Sequence, residues 1–376
     1  MSNWTRLAAV ALAGCLLAGC HSSFVLLRKL KSSDASTRRD AAEDLGRKRD
    51  PSAVEPLIAA LADRDEGVRR AAAKALGQIG DKRAVAPILA RFPTEDKYTQ
   101  QDFADALGAL KDARAMPALF AALKTQDEFG KKHMSDALAA IGPAAIPTVL
   151  ANLRDPDPGV RKSSAECLVS IAYDISVGNL PGSTMQQLDP ALPALAAALQ
   201  DPVPEVRSAA ANALGRIGNP SSIAPMIALF HDANDDVREA DASALSGFGA
   251  VATEPLLEAM RDNDPNMRIG AARALGSMAW TGHSTQAAEA LKEALAKGNL
   301  EIAAGAYTYF ISQGDPSAMT VLIAAFEKYP ERRMANELLN CGNKDLSDAV
   351  HAWADKHGAT IDEKSGSAGT AKWGSH

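Results

Sequence analysis

Apolar residues recur along this chain at helical spacing. In the stretch 206–217 they fall at Val206, Ala209, Ala210, Ala213, Leu214 and Ile217, which share one stripe of an α-helix. Punctuating residues frame the stripe. Asp201-Pro202-Val203-Pro204 precedes it, Asp being a good N-cap and Pro being tolerated in a first turn, and Gly218 follows, suited to the left-handed position past a helix end. A second, shorter apolar run comes next and carries Pro near its start, as in Pro56-Leu57-Ile58, Pro87-Ile88-Leu89, Pro117-Ala118-Leu119, Pro225-Met226-Ile227 and Pro255-Leu256-Leu257. No window sustains a period of two, so strands are not expected.

The leucine of the long block stands at Leu76, Leu107, Leu138, Leu168, Leu214, Leu245 and Leu275, giving gaps of 31, 31, 30, 46, 31 and 30 residues. A fixed period of this length predicts stacked helix pairs, each burying its apolar faces against its neighbours. The gap of 46 is one period carrying about fifteen extra residues, an insertion placed at about 173–189. The pattern predicts an all-α solenoid over 24–358, with a lone helix at 24–31, about nine helix pairs, and a less regular closing pair at 331–340 and 345–357. The Ser/Gly-rich tail, 359–376, is expected to be disordered.

The succession Asp-Pro, Val-Arg, Ala-Ala-x-Ala-Leu-Gly-x-Ile-Gly and Ala-x-x-Pro-Leu resembles the short HEAT repeats known as PBS-lyase-type or HEAT_2 repeats, over roughly Phe24 to Gly358. It is closest at Val68, Val206, Val237 and Met267; the blocks near Lys97, Phe129 and Asn299 lack the Val-Arg pair. The resemblance implies an α-α superhelix. Two catalytic families share the repeat. Deoxyhypusine hydroxylases hold two irons with His-Glu pairs, whereas none of His21, His133, His231, His283, His351, His357 or His376 is followed by Glu. Bilin lyases act inside the cell, which an exported chain does not reach. His351, Asp355 and His357 look ligand-like, but a spacing of six places the two histidines on different helix faces. No Gly-rich phosphate loop, HExxH, GxSxG or CxxC occurs, and no cofactor or metal is expected.

The first residues point to export. Met1 to Arg6 carries one positive charge, Leu7 to Leu17 is apolar and too short to span a bilayer, and Leu17-Ala18-Gly19-Cys20 resembles a bacterial lipobox. The expected signal peptide is 1–19, with Cys20 as the lipidated mature N-terminus and 20–23 as a short tether. Leu12-Ala13-Gly14-Cys15 has the same form, but cleavage there would leave an apolar run of only about five residues, so Cys15 is the poorer acceptor. A diacylglycerol thioether and an amide-linked acyl chain such as palmitate would make attachment effectively permanent. His rather than Asp at position 21 resembles the signal for release to the outer membrane, facing the periplasm.

Composition adds little to this and excludes some partners. The chain has 376 residues, 47 % hydrophobic and 5 % aromatic, with formal charge -6 and pI near 5.7. An acidic exported chain argues against nucleic acid. Cys167 and Cys341 fall in distant repeats, so a disulfide between them is not expected. Arg69, Arg161, Arg207, Arg238 and Arg268 each follow an apolar residue in a first turn, with Asp63, Asp155, Asp201, Asp232 and Asp262 just upstream; they are read as a structural ladder between repeats rather than as phosphate ligands. The basic stretch Arg28 to Arg49 is interrupted by acids and reads first as the solvated face of a terminal repeat.

Two departures from the repeat are the expected places for a partner. One is the insertion, with Tyr173, Leu180 and Met185 beside its Gly and Pro residues; the other is a sparse aromatic set, Trp280, His283 and Tyr309, while Tyr307 and Phe310 fall where the pattern wants core. The resulting expectation is a membrane-anchored, non-catalytic scaffold that binds a protein or envelope polymer. A repeat-based enzyme or enzyme-maturation factor is the alternative, and a structural assembly subunit a third reading.

Overall fold

Asp and Asn side chains decide where the helices begin. In the computed structural model, which describes residues 23–180 and 182–359, Asp34, Asp65, Asp96, Asp127, Asp157, Asp264 and Asp315 each accept backbone N–H bonds from the first turn that follows. Asn234, Asn299 and Asn343 do the same. The expected signal peptide (1–19), Cys20 and the tail from residue 360 lie outside the described residues.

The chain divides into two units at Leu188/Asp189. The first contains α1 (residues 23–29), α2 (Ala35–Arg47), α3 (Val54–Ala60), α4 (Glu66–Ile79), α5 (Val85–Arg91), α6 (Lys97–Leu110), α7 (Met116–Leu123), α8 (Glu128–Ile141), α9 (Ile146–Asn152) and α10 (Pro158–Ser176). The second contains α11 (Leu192–Ala198), α12 (Pro204–Ile217), α13 (Ile223–Ile227), α14 (Asp235–Ser246), α15 (Ala250–Ala259), α16 (Pro265–Trp280), α17 (Thr285–Ala296), α18 (Leu300–Gly305), α19 (Tyr307–Gln313), α20 (Pro316–Lys328), α21 (Arg332–Asn340) and α22 (Lys344–His357). No strand occurs among the described residues. In chain order these helices make the expected nine pairs and closing pair, with one long helix broken into α18 and α19 at Ala306.

Within each unit the long helices pack side by side, and alanine and glycine set how closely. A Cβ placed on Gly77 would lie 3.0 Å from Ala106 Cα, one on Gly108 would lie 2.8 Å from Ala137 Cα, and one on Gly215 would lie 3.0 Å from Ala244 Cα. The Leu-Gly punctuation is therefore a contact device: Leu fills the core and Gly admits the next long helix. Val68, Ala72 and Leu76 of α4, and Val206, Ala210 and Leu214 of α12, are fully buried along the predicted stripe. The apolar stretch 129–152 has the length to cross a membrane, yet it breaks at Gly142 (φ 79°) into α8 and α9 and is more than half buried in the fold.

The first residues of the insertion, Tyr173 to Ser176, are helical and lengthen α10 to 19 residues, and the loop proper starts only after them.

Candidate functional site

The recurrent arginines form a ladder with a regular two-handed geometry. Arg38 donates from Nε and Nη2 to the two carboxylate oxygens of Asp63, 2.7 Å each, while its Nη1 donates backwards to the Ser32 and Ser33 carbonyls. Arg69 repeats this one period on, with Nη1 on the Asp63 carbonyl (3.1 Å) and Nε and Nη2 on Glu95 (3.0 and 2.8 Å). In the second unit Arg207 holds the Asp201 carbonyl (2.8 Å) and the Asp232 carboxylate (2.5 and 2.7 Å). Asp63 and Asp232 also accept the N–H two residues on, so the turn is fixed at the same time.

This electrostatic arrangement moves the carboxylates. The Arg38 guanidinium outweighs burial and holds Asp63 below its usual range. Burial pushes Asp232 up, but Arg207 and the Asn234 N–H outweigh it and leave Asp232 lowered. Glu301 lies 3.5 Å from Arg268; burial raises it, and the Tyr329 hydroxyl, a backbone N–H and Lys328 together bring it down to about 2. The ladder reading of Arg69, Arg207 and Arg268 is thus seen directly, while Arg161 and Arg238 show the backward bonds to the Asp155 and Asp232 carbonyls. Arg38 belongs to the same ladder and was hidden in the basic stretch. At α6 the rung is uncharged: Gln100 donates to the Phe92 carbonyl and accepts from Gln126 at 2.7 Å. These arginines are consumed by the fold, and a phosphate-binding role is not left to them.

Of the six residues expected to meet a partner, some lie at the surface and others are buried or half-buried. Tyr173 is 49 % exposed, as is Val177 one turn later. Met185 is half-buried. Leu180 folds back, its Cδ2 3.1 Å from where a Cβ on Gly142 would stand, so it pins the insertion to the α8–α9 corner. Asn179 adds two bonds to Asp174, from its backbone N–H (2.8 Å) and its side chain (2.9 Å), and the insertion is a built loop. Trp280 is half-buried and His283 exposed at the end of α16, His283 Nδ1 lying 2.8 Å from Thr281 Oγ1. Tyr309 does not join them at the surface: it is 3 % exposed, its ring packed against Phe310 at 5.6 Å between centroids. Tyr307 and Phe310 are also buried, as the pattern required.

The remaining candidates are plain. His357 stacks on Trp353 at 4.5 Å and contacts its carbonyl, a packed helix end. Among the described residues no three His, Cys, Asp or Glu side chains gather where a metal could be held. Cys167 and Cys341 are both buried thiols outside any disulfide, and burial pushes Cys167 up to about 12, which removes it as a nucleophile.

Two polar residues escaped the sequence reading. Counting back from the block leucines, Ala72, Ala210 and Ala271 share a column with Asp241, and Ala73, Ala104, Ala165, Ala211, Ala242 and Ala272 share one with Ser135. Asp241 is wholly buried with both carboxylate oxygens unpartnered, and Ser135 is 5 % exposed with an unpartnered Oγ. Aligning the repeats column by column would have marked both.

Stacked two-helix repeats, glycine-mediated contacts and a forward-reaching arginine ladder define an α-solenoid of the HEAT type. The chain belongs to the HEAT-repeat family, whose model matches residues 25–107, 88–169, 183–246 and 253–340. Among solved structures it is similar to an engineered protein (21 % identical, covering 90 % of this chain and 99 % of that one, TM-score 0.38). It is also similar to the CpcE–CpcF complex of phycocyanin lyase from Nostoc sp. PCC7120 (26 %, 69 % and 94 %, TM-score 0.34) and to importin beta (16 %, 88 % and 46 %, TM-score 0.45). No curated protein matches the chain.

Proposed function

We propose that this HEAT-repeat chain is a lipid-anchored scaffold of a bacterial envelope, held through Cys20 on the periplasmic side of the outer membrane, and that it binds a protein partner without catalysing a reaction. The observation that carries the binding half is the pair Tyr173 and Val177, each 49 % exposed where α10 ends in the insertion, Tyr173 in its last turn and Val177 just past it. The repeat arginines are occupied by the fold, so the departure from the repeat is where surface chemistry is left over. Half-exposed aromatic and branched side chains one turn apart suit an interface anchor.

The anchoring half rests on the lipobox. Cys20→Ser is expected to abolish incorporation of labelled fatty acid and to move the protein from the membrane to the soluble fraction, while Cys15→Ser changes neither. Undiminished labelling of Cys20→Ser would mean that Cys20 is not the acceptor.

For the partner, Tyr173→Ser with Val177→Ser is a cleaner probe than deleting the loop, because Leu180 and its cover over Gly142 stay in place. Thermal stability should stay within about 0.5 kcal/mol of the parent, as for other exposed positions. Crosslinked material recovered with the native protein should lose its main partner band. An unchanged band would place the interface elsewhere.

A further inference from the structure

The first and last helices are finished differently. The closing helix α22 turns Lys344, Asp345, Asp348, Asp355 and Lys356 outwards, the polar finish that a repeat array needs where stacking stops. The opening helix α1 does the reverse. Phe24 is 71 % exposed, more than any other large apolar side chain among the described residues, and Val25 beside it is 50 % exposed. Leu26 of the same turn is buried, so α1 is seated on the fold by its other face. Between α1 and α3 an open groove of about 730 Å³ shows more apolar surface, from Phe24, Leu27 and Leu30 on one side and Pro56, Ala59 and Ala60 on the other. Arg28, Lys29 and Lys31 follow the apolar tip, and residues 23–31 carry no acid. By helical spacing Arg28 stands beside Phe24, and Lys29 beside Val25. None of the three cations is paired with a carboxylate among the described residues. The two acids that line the groove are committed elsewhere, Asp63 to Arg38 at 2.7 Å and Glu55 to Arg83 at 2.9 Å, and Asp34 and Asp50 in the neighbouring turns cap the helices that follow them.

We propose that this end of the chain binds an anionic lipid surface directly. Phe24 and Val25 enter the boundary between headgroups and acyl chains, the groove takes an acyl chain, and Arg28, Lys29 and Lys31 meet lipid phosphates. An exposed apolar tip with cations one turn away is the combination that holds a segment at a lipid interface. Charge selects a lipid layer over a second copy of this chain, because two copies joined through this face would bring the same three cations together. Reach agrees with it: Cys20 lies three residues before Ser23, about 10 Å of chain at most, so a bilayer holding that cysteine lies against α1. The inference deepens the anchoring proposed above, and it needs no acyl group on Cys20.

The test uses the full-length Cys20→Ser chain, which cannot be acylated at that residue, with vesicles of phosphatidylcholine alone or mixed equally with phosphatidylglycerol. Backbone hydrogen exchange over residues 24–31 should slow at least about fivefold with the mixed vesicles, and co-sedimentation should show binding that weakens as salt is raised. Arg28→Ser, Lys29→Ser and Lys31→Ser together should weaken that binding by about fivefold for each cation removed. Phe24→Ser with Val25→Ser should remove the protection of 24–31. All five positions are exposed, so melting should stay at the parent's value, and the apolar run Leu7 to Leu17, common to every variant, cancels in the comparison. No protection of 24–31, equal binding to both vesicles, or a charge variant that binds like the parent would each overturn the proposal. Dimers that Phe24→Ser with Val25→Ser abolishes, in place of vesicle binding, would overturn it in favour of a second copy. Fatty-acid labelling reports on Cys20 separately, so either reading can fail alone.

Discussion

Asp241→Ala is expected to raise the melting temperature of the C-terminal unit at neutral pH, by about 4–8 °C for a gain of about 2 kcal/mol. The residue occupies a column that is alanine at Ala72, Ala210 and Ala271, is fully buried, and leaves both oxygens unpartnered. Burial, and then the negative charge of Asp232, push its carboxyl well above the ordinary range. The sign follows from which state holds the proton. In the unfolded chain Asp241 ionises near 3.8, whereas the folded chain keeps it neutral, so its penalty is absent below that pH and grows as the pH rises towards its folded value. The advantage of Asp241→Ala over the parent should therefore be small in acid and largest at neutral pH. Asp241→Asn should lose the pH dependence while keeping an unsatisfied polar group. Denaturant melts across pH measure all three; a pH-independent difference, or a less stable Asp241→Ala, would show that the carboxyl is satisfied in solution.

The opposite sign is expected one repeat earlier. Arg207→Ala should cost about 2–3 kcal/mol, because it strands the Asp232 carboxylate, whose side chain is only 6 % exposed. Asp232 is lowered in the folded state, so the parent's gain is present above the ordinary carboxylate value and is lost as the pH falls through the folded one. The deficit of Arg207→Ala should shrink in acid for that reason. Adding Asp232→Asn, which keeps an acceptor for the Asn234 N–H, should recover part of the loss, and the double-mutant cycle gives the coupling. Additive single effects would mean that the pair is not formed. By contrast Lys297 and Glu293, both about 70 % exposed, should be replaceable without measurable effect.

Much of this fold is written locally. Period, apolar stripe and Asp caps place nearly every helix, because the same thirty-residue instruction is repeated until only one reading survives. The ladder was legible for the same reason: arginine and acid recur at fixed offsets. What stayed hidden depends on partners far along the chain. Tyr309 looks like a surface aromatic until the fold is seen to close over it, and Leu180 looks like a loop residue until it is found over Gly142. The break at Ala306 has no proline to announce it; Gly305 before it lies so close to α16 that a Cβ would stand 2.3 Å from the Ile269 carbonyl oxygen. Ser135 and Asp241 were visible as letters out of column, but whether a polar atom has found a partner is a question only coordinates answer.

Because the rungs at Arg38, Arg69 and Arg207 each join an arginine of one repeat to an acid of the next, the joint is directional, and a gene can be edited at it in whole units. Duplicating the segment from Arg38 to Asp63 together with the rest of its period gives the new copy a donor facing forward and an acceptor facing back, so no charge is orphaned. Removing one full period simply introduces Arg38 to the next acid in line, Glu95. Removing half a period leaves a guanidinium or a carboxylate facing nothing. Variation in repeat number is thus tolerated by the same bonds that punish a misaligned cut, and lineages carrying this ladder should differ in length by multiples of its period.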